Sequence, residues 1–441
     1  MENIYQGLIL GLLVFLIGMI TWGRIERQWV SLIILLVLVA TNAVDFNELL
    51  IYVDWDVLGL ILGMSILTVY LEDSGLMEIV SSFLRRRLTS PLKLVFWLSF
   101  TAGLVSIALE NVSVVLLFAP IALRMAKSMN LNPIPVMIGV ALASNMAGSA
   151  TMIGDPPAII TAGYLNLVFT DFIWYNGKPS MFFFTLIPMI IACLVLALIA
   201  RRSLSQINNP YNTNSLNDRN TGQIANIIDK IFLIEASLFL TIKIILLSLR
   251  HVIHLPLSLI ALIAVGGLTI TRLIHRDYKS VRHALAAGFE WKLLLFLIGV
   301  FTLSGAFAKH GLANLAANWI VSISSGNIVI VTSLLVWLSV LISAFIDNVP
   351  YTTTMLPVVV LIANSLGVEP ITIAWALLLG TTLGGNLTYI GASANVTAVR
   401  ILEKRGYQVS FWDFIRISIP FNTVSVITGW ILYEIFWIIL A

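Results

Sequence analysis

Long apolar runs, separated by short polar segments, recur along the whole chain. They lie at residues 3–23, 28–44, 56–71, 92–128, 133–166, 180–200, 231–249, 255–274, 291–307, 327–366, 370–402 and 412–440. A run of roughly 20 apolar residues is long enough to cross a bilayer as an α-helix. The first run lacks a preceding basic segment and a small-residue cleavage site, so it is read as a span rather than a signal peptide. The pattern therefore predicts an all-α polytopic membrane protein.

Composition narrows the function classes further. The 441 residues are 59% hydrophobic and 11% charged, against about 25% charged in an ordinary soluble chain. This balance excludes a nucleic-acid-binding protein, a cytoplasmic enzyme and a disulfide scaffold. The single cysteine, Cys193, excludes a site of several thiolates. Because neither an HExxH motif nor a phosphate-binding loop occurs, we expect no enzyme activity, no cofactor and an ion gradient as the energy source. A separate ATPase subunit stays open.

Clusters of arginine and lysine predict the orientation in the bilayer. Basic residues accumulate on the cytoplasmic side of membrane proteins. Placing the clusters inside predicts a plasma-membrane protein with its amino terminus outside. The clusters are Arg24 with Arg27, Arg85 to Arg87, Arg201 with Arg202, and Arg272, Arg276, Lys279 and Arg282.

One long polar stretch divides the chain. Residues 208–229 are rich in asparagine and lack apolar periodicity, which is typical of a linker. The predicted organisation is N-terminal transmembrane helices at 1–48, a first repeat at 49–202, a cytoplasmic linker at 203–230, connecting transmembrane helices at 231–283 and a second repeat at 284–441.

The two halves match each other at a constant offset. Glu110-Asn111 recurs as Asp347-Asn348, 237 residues later. Prolines and glycines at 120, 133, 148 and 154 recur at 357, 370, 385 and 391 with the same offset. The charge pattern starts matched segments on opposite sides of the membrane, which predicts an inverted repeat. Inverted repeats with interrupted helices indicate a secondary transporter whose site lies near the midplane between the halves. The alternative is that the similarity reflects only generic helix composition.

Four segments break the helical pattern at membrane depth: residues 108–113, 143–157, 345–350 and 380–395. Irregular backbone is tolerated there only when it is buried in protein or lines a wet cavity. Half-helix amino termini suit an anion, and freed carbonyl groups suit a cation. The predicted substrate- or ion-binding residues are Glu110, Asn111, Ser144, Asn145, Gly148, Thr151, Gly154, Asp155, Asp347, Asn348, Thr381, Gly385, Asn386, Thr388, Gly391, Ser393 and Asn395.

Among these residues, the acids predict the coupling chemistry. An ionisable residue at the bilayer centre costs roughly 2.5–3.5 kcal/mol and is rarely placed there without a use. Glu110, Asp347 and Asp155 are therefore the predicted proton-coupling groups. The alternative for each acid is a cap on a broken half-helix, and for Asp155, whose repeat mate is Ala392, the two readings are equally open. The predicted Na⁺ ligands are Asn111, Asn145, Asn348 and Asn386.

Three groups of residues have a structural interpretation, which for the first group is the alternative to ligand binding. The small polar residues in the four segments have an alternative role in helix–helix contact. Gly59 and Gly63 form a GxxxG pattern, which we read as helix packing. Asp54 and Asp56 flank a span and are read as interfacial.

Short motifs over roughly residues 50–439 match a known family. They are Asp54-Trp55-Asp56, Gly63-Met64, Ser74-Gly75-Leu76, Glu110-Asn111-Val112, Ala143-Ser144-Asn145, Ile153-Gly154-Asp155-Pro156-Pro157, Asp347-Asn348-Val349-Pro350, Gly384-Gly385-Asn386 and Ile390-Gly391-Ala392-Ser393-Ala394-Asn395. On these motifs the chain resembles the ion transporter superfamily, and within it the branch of arsenical-pump membrane subunits, D-type sodium–proton antiporters and the pink-eyed-dilution P protein. Glu110 stands where the family usually has aspartate.

The resemblance implies two inverted structural repeats, each with a re-entrant hairpin and an interrupted transmembrane helix. It also implies elevator-like alternating access and a homodimer. The leading hypothesis is a secondary active transporter with proton-coupled efflux of arsenite, antimonite or a similar small oxyacid or anion. The alternatives are a sodium–proton antiporter, then a sodium-coupled carboxylate or anion transporter, or a passive channel. With one cysteine, arsenite would be held as neutral As(OH)₃ by Asn, Ser and Thr oxygens.

Overall fold

The computed structural model describes residues 2–22, 24–85, 90–204 and 229–440. Arg86, Arg87 and most of the predicted linker lie outside the described residues, so their predicted roles stay predictions. In the described ranges, nine helices are long and apolar enough to cross a membrane, and shorter apolar helices accompany them. The predicted all-α polytopic architecture is confirmed.

The first half runs to residue 204. Its elements are α1 (Glu2–Trp22), α2 (Arg27–Ala40), α3 (Phe46–Tyr52), α4 (Trp55–Asp73), α5 (Leu76–Arg85), α6 (Pro91–Ser106), α7 (Asn111–Ser128), α8 (Pro133–Gly148), α9 (Pro156–Tyr164), a 3₁₀ turn (Phe169–Phe172), the antiparallel strands β1 (Trp174–Tyr175) and β2 (Lys178–Pro179), and α10 (Met181–Leu204).

The second half follows in the same order. Its elements are α11 (Lys230–Ser248), α12 (Arg250–Ile253), α13 (Leu257–Ile274), α14 (Tyr278–Gly288), α15 (Trp291–Lys309), α16 (Leu312–Ile323), α17 (Ile328–Ser343), α18 (Asn348–Leu366), α19 (Pro370–Gly384), α20 (Ser393–Lys404), α21 (Phe411–Tyr433) and a terminal π-helical segment (Glu434–Ile439).

The fold consists of two inverted repeats, as predicted. Helices α4 to α10 correspond to α15 to α21. In each repeat two helices form a re-entrant hairpin, α6–α7 with its tip at 107–110 and α17–α18 with its tip at 344–347. An interrupted helix follows each hairpin, α8/α9 broken at 149–155 and α19/α20 broken at 385–392. The predicted domain boundaries stay a prediction.

Proline positions explain where the inner helices begin. Pro91, Pro133, Pro156 and Pro370 each start a helix, where a missing backbone donor costs nothing and the fixed φ suits the first turn. The Asn132 side chain accepts a hydrogen bond from the Ile134 N–H at 3.0 Å and completes the start of α8. Of these four prolines only Pro133 and Pro370 are repeat mates, since Ile328 and Ser393 stand at the positions equivalent to Pro91 and Pro156.

The outer helices pack as two equivalent pairs, α4 against α13 and α15 against α2. Glycine allows the close approach in each pair. A Cβ on Gly63 would lie 2.5 Å from the Ala261 Cβ, and a Cβ on Gly299 would lie 2.0 Å from the Ser31 Oγ. The packing role expected for the GxxxG pattern is confirmed, since Gly59 approaches Ser258 in the same way.

Charged groups at the helix ends hold these pairs in register. The Asp56 carboxylate accepts hydrogen bonds from the Leu257 and Ser258 N–H groups, both at 2.7 Å, and so caps α13. In the other pair Lys292 donates to Glu26 at 2.6 Å. Hydrogen bonds from Lys292 and then Gln28 lower the pKa of the Glu26 carboxyl below its ordinary value. Asp56 is therefore a cap between helices and not only an interfacial charge.

The inner helices (α6–α10 and α17–α21) form one packed group. Within each repeat the hairpin packs on its interrupted helix, α6 and α7 on α8, and α17 and α18 on α19. Between the repeats α7 contacts α20, α9 contacts α18, and α10 lies along α21. The four helix breaks are thereby brought to the middle of this group.

Candidate transport site

The candidate site is built from four helix amino termini, those of α7, α9, α18 and α20. Three of them are capped by the acids that the sequence singles out. Glu110 accepts from the Ser113 N–H at 3.0 Å, Asp155 from the Ala158 N–H at 3.1 Å, and Asp347 from the Val349 N–H at 3.1 Å. The capping role left open for these acids therefore has a geometric basis, while their role in coupling stays a prediction.

The fourth amino terminus has no acidic cap. Helix α20 follows Ala392, whose side chain cannot accept a hydrogen bond, at the position equivalent to Asp155. The first residue of α20, Ser393, donates its hydroxyl to the Asp347 carboxylate at 3.3 Å. Exposed N–H groups at a helix start carry partial positive charge and bind anions. The two repeats thus differ at this one position in their electrostatics.

The interrupted helices hydrogen-bond to each other across the repeats. The Asn145 amide donates to the Asn386 Oδ1 at 3.0 Å and to the Thr382 carbonyl at 3.2 Å. Asn386 in turn donates to the Leu142 carbonyl at 2.9 Å, and the hydroxyls of Ser149 and Thr382 lie 2.6 Å apart. All are buried. Asn145 and Asn386 therefore join the repeats at the centre of the site.

Each loop in an interrupted helix packs on the tip of its own hairpin, in the same way in both repeats. Thr151 donates to the Ile107 carbonyl at 2.6 Å, and Thr388 donates to the Ala344 carbonyl. Ser144 donates to the Asn111 carbonyl at 2.9 Å. In the second repeat the Thr381 carbonyl accepts from Ser343 at 2.8 Å.

The predicted glycines allow this close contact of backbones. A Cβ on Gly154 would lie 2.3 Å from the Gly148 carbonyl oxygen and 2.5 Å from the Ser106 carbonyl oxygen. A Cβ on Gly391 would lie 2.4 Å from the Ser343 carbonyl oxygen and 2.9 Å from the Gly385 Cα. Gly148, Gly154, Gly385 and Gly391 are thus placed where two backbones touch.

Two predicted asparagines keep unused hydrogen-bonding groups. Asn395 is fully buried and donates to the Gly385 carbonyl at 3.0 Å, but its Oδ1 has no partner in the described part of the chain. The Asn348 side chain is 5% exposed at the tip of the α17–α18 hairpin. Its repeat mate Asn111, by contrast, donates to the Asn145 Oδ1 at 3.2 Å.

Arg27 belongs to the site, and the sequence reasoning assigned it only to a basic cluster. Its guanidinium donates to the Ser393 Oγ at 3.0 Å and lies 3.6 Å from the Asp347 Oδ2. It also lies over the Phe296 ring at 5.2 Å. An arginine at the start of an apolar helix is typical of an interface, and no local signal connects it with residues more than 300 positions away.

A cavity of about 800 Å³ separates the outer helices from the inner group on another side of the site. Its walls come from α3, α4 and α15 on one side and from α9 and α18 on the other. Thr353, in the second turn of α18, lines it together with Asp54, Ile160, Ser304 and Ala308. The cavity therefore runs along the second half of α9 and the middle of α18.

We expect Asn386→Ala to destabilise the protein by about 1–3 kcal/mol, because the buried Asn145 amide loses one of its two acceptors and the Leu142 carbonyl loses the Asn386 donor. A thermal melt of the purified protein in detergent measures the change. Asn364→Ala is the matched control, since Asn364 is exposed on α18. Equal melting of the two variants would contradict the structural role of the Asn145–Asn386 contact.

Two inverted repeats with paired re-entrant hairpins, interrupted helices and a buried polar centre define a membrane transporter. Residues 15–380 match the citrate transporter family, CitMHS. The chain belongs to that family. This finding and the similarity to the P protein confirm the predicted membership in the ion transporter superfamily.

The chain is also similar to three other proteins. An uncharacterized transporter of Mycobacterium tuberculosis is 32% identical over 97% of this chain and 99% of its own length. The human P protein is 28% identical over 86% of this chain and 53% of its own length. The Alcanivorax borkumensis YdaH transporter, described as having an unusual topology, shares the fold with a TM-score of 0.58 at 17% identity, covering 93% of this chain and 98% of that one.

Proposed function

We propose that the chain is a secondary active transporter that moves a small oxyacid or anion in exchange or in company with protons, by alternating access. The observation that carries the proposal is the uncapped start of α20 beside Asp347 and Arg27. This helix start combines N–H groups that attract negative charge with a carboxyl group that can take up a proton.

Protonation of Asp347 would change what the start of α20 can bind. In the ionised form its carboxylate accepts from Ser393 and pairs with Arg27. The same charge repels an anion at the α20 start. Once Asp347 is protonated, the repulsion ends, and Arg27 and Ser393 are free to contact the solute. If protonation of Asp347 changes the affinity for the solute, binding of the solute must change the affinity for the proton by the same factor.

The groups at the site also determine how each class of solute would be bound. An oxyanion or carboxylate would use Arg27, Ser393 and the α20 N–H groups. Neutral arsenous or antimonous acid would instead use hydroxyl, amide and backbone groups, since no cluster of cysteine, histidine and acidic residues exists in the described ranges. Arsenite and antimonite therefore stay candidates beside other oxyacids and carboxylates.

Sodium–proton exchange is the second candidate, and the unpaired Asn395 Oδ1 favours it. Of the predicted Na⁺ ligands, Asn145 and Asn386 have their amide oxygens engaged by other asparagines. Asn348 and Asn395 keep groups that could turn to a cation. A sodium substrate would on this proposal lie in the second repeat, between the tip of α17–α18 and the loop before α20.

The proposal includes a homodimer in the plasma membrane with the amino terminus outside. Charge placement supports the orientation, and the homodimer is implied by the superfamily resemblance. A separate ATPase subunit is not needed, because an ion gradient supplies the energy.

The test uses purified protein in liposomes with an imposed pH gradient and a pH-sensitive dye inside. Sodium, lithium, arsenite, antimonite, silicate and citrate are added in turn. A dye response to an oxyacid or to citrate supports the proposal, and its sign separates exchange from cotransport. A response to sodium or lithium alone favours the second candidate. Silence for all six solutes, with the protein correctly inserted, contradicts both.

A further inference from the structure

Helices α1 and α2 both reach the tip of the α17–α18 hairpin. Arg27, the first residue of α2, reaches Ser393 at 3.0 Å and Asp347 at 3.6 Å. Nearby, the Thr21 hydroxyl of α1 lies 3.4 Å from the Phe345 carbonyl oxygen. These contacts close the gap between the outer helices and the hairpin at this end of the site.

Arg27 lies against Phe296, close to two further contacts between α2 and α15. The Phe296 ring lies under its guanidinium at 5.2 Å, and the neighbouring Glu26 pairs with Lys292 at 2.6 Å. One turn on, Ser31 donates to the Phe296 carbonyl at 2.8 Å. A guanidinium is planar, so arginine loses less entropy for each hydrogen bond that it forms, which favours the contact with the hairpin.

The opposite end of α15 is open. Ala308 and Lys309 line the cavity of about 800 Å³ that separates the outer helices from α9 and α18. Phe296 and Ala308 are twelve residues apart on one helix, or about 18 Å along its axis. The protein is therefore closed at the Arg27 end and open at the Ala308 end.

The inverted repeat shows that this closure is one-sided. In the other outer pair, α4 with α13, the helix that corresponds to α2 begins at Leu257, which is fully buried and apolar. An ion pair between the start of this helix and a hairpin tip thus has no counterpart there. If the two repeats exchange conformations during transport, only one of the two end states gains the Arg27 contact.

We infer that Arg27 is a latch: it positions the α17–α18 tip through Asp347 and Ser393, and it favours the state that is closed at its own end. This inference rests on one part of the proposed function, the alternation between two end states. The latch must open for the solute to leave on that side, so Arg27 sets the balance between the two end states.

The experiment measures that balance without any solute. Cys193 is buried and is the single cysteine. In a Cys193→Ala, Ala308→Cys background, a water-soluble maleimide reports how often the cavity is open. Hydrogen–deuterium exchange of the tip at residues 344–347 reports opening at the other end.

With Arg27→Gln, we expect tip exchange to rise about three- to tenfold, the effect of removing one charged partner on an equilibrium. Labelling at Ala308→Cys should fall in the same protein, because opening one end closes the other. Arg27→Lys should restore both readouts in part. Arg24→Gln is the matched control, because Arg24 lies over the Trp22 ring at 5.1 Å and contacts none of the described site residues.

Unchanged labelling at Ala308→Cys would overturn the latch, even if the tip exchanged faster, since local loosening does not close the far end. If Arg27→Gln fails to fold, Ser393→Ala removes the same hydrogen bond from the other partner and must shift both readouts in the same direction. If the parent protein transports a solute but Arg27→Gln leaves labelling at Ala308→Cys unchanged, the latch alone is rejected. A labelling shift with no transport of any solute would reject the proposed function alone.

Discussion

We expect Asp347→Asn to abolish proton movement coupled to the solute, to the level of protein-free liposomes. Asparagine is as good an amino-terminal cap as aspartate, so the hydrogen bond from the Val349 N–H can persist. The variant loses the proposed proton site and the charged partner of Arg27. The dye assay in liposomes measures the loss, and size-exclusion profiles show whether the variant is folded.

The same expectation holds for Glu110→Gln in the first repeat. Asp171→Asn is the matched control, because Asp171 also caps a backbone N–H, that of Val168, but lies outside the site. Normal coupled transport in both Asp347→Asn and Glu110→Gln would assign these acids to capping alone.

Replacing Gly154 or Gly391 with alanine destabilises the protein by about 1–3 kcal/mol or more, the usual cost of overpacking. The added Cβ would meet carbonyl oxygens at 2.3 and 2.4 Å, and backbone cannot move aside as a flexible side chain can. We also expect loss of transport, because the loop would be pushed away from its hairpin tip. Thermal melting in detergent and the liposome assay measure the two effects.

Gly266→Ala is the control for this pair. Gly266 lies in the middle of α13 with no atom within 4 Å of its added Cβ. The melting temperature of the Gly266→Ala variant should stay at the parent value or rise slightly, because alanine favours the helix. Parent-like melting and transport in Gly154→Ala and Gly391→Ala would mean that the loops have room for a side chain.

The difference between the repeats matters as much as their similarity. Asp155 closes the start of α9 with hydrogen bonds from Ala158 and Ser149, whereas Ala392 leaves the start of α20 without a side-chain cap. A symmetric pair of sites would bind the same ligand twice. The single uncapped start, with Arg27 beside it, favours one place for negative charge.

The contacts give two of the predicted site residues a structural role. Asn145 and Asn386 were predicted as Na⁺ ligands, but their amide groups bond to each other, to Asn111 and to Asn395. Whether they also contact a solute stays a prediction. No single-sequence pattern distinguishes an amide that binds a ligand from one that joins two helices, because both place a buried asparagine beside small residues.

The sequence by itself determined the membrane-spanning class, the inverted repeat and the four helix breaks. These follow from run length, from prolines and glycines, and from one constant offset, all of which are local or one-dimensional signals. It also identified the acids that cap the half-helices, since a carboxylate within an apolar run is visible without any contact.

Only the tertiary structure decided which of these groups meet. Asn145 and Asn386 are 241 positions apart, and Arg27 and Ser393 are 366 positions apart. Their pairing depends on how α8 crosses α19 and how α2 lies against α15, which is set by close packing at Ser31, Gly299 and similar points. Contacts of this kind arise from the sum of many small packing terms between distant segments, so no local pattern specifies them.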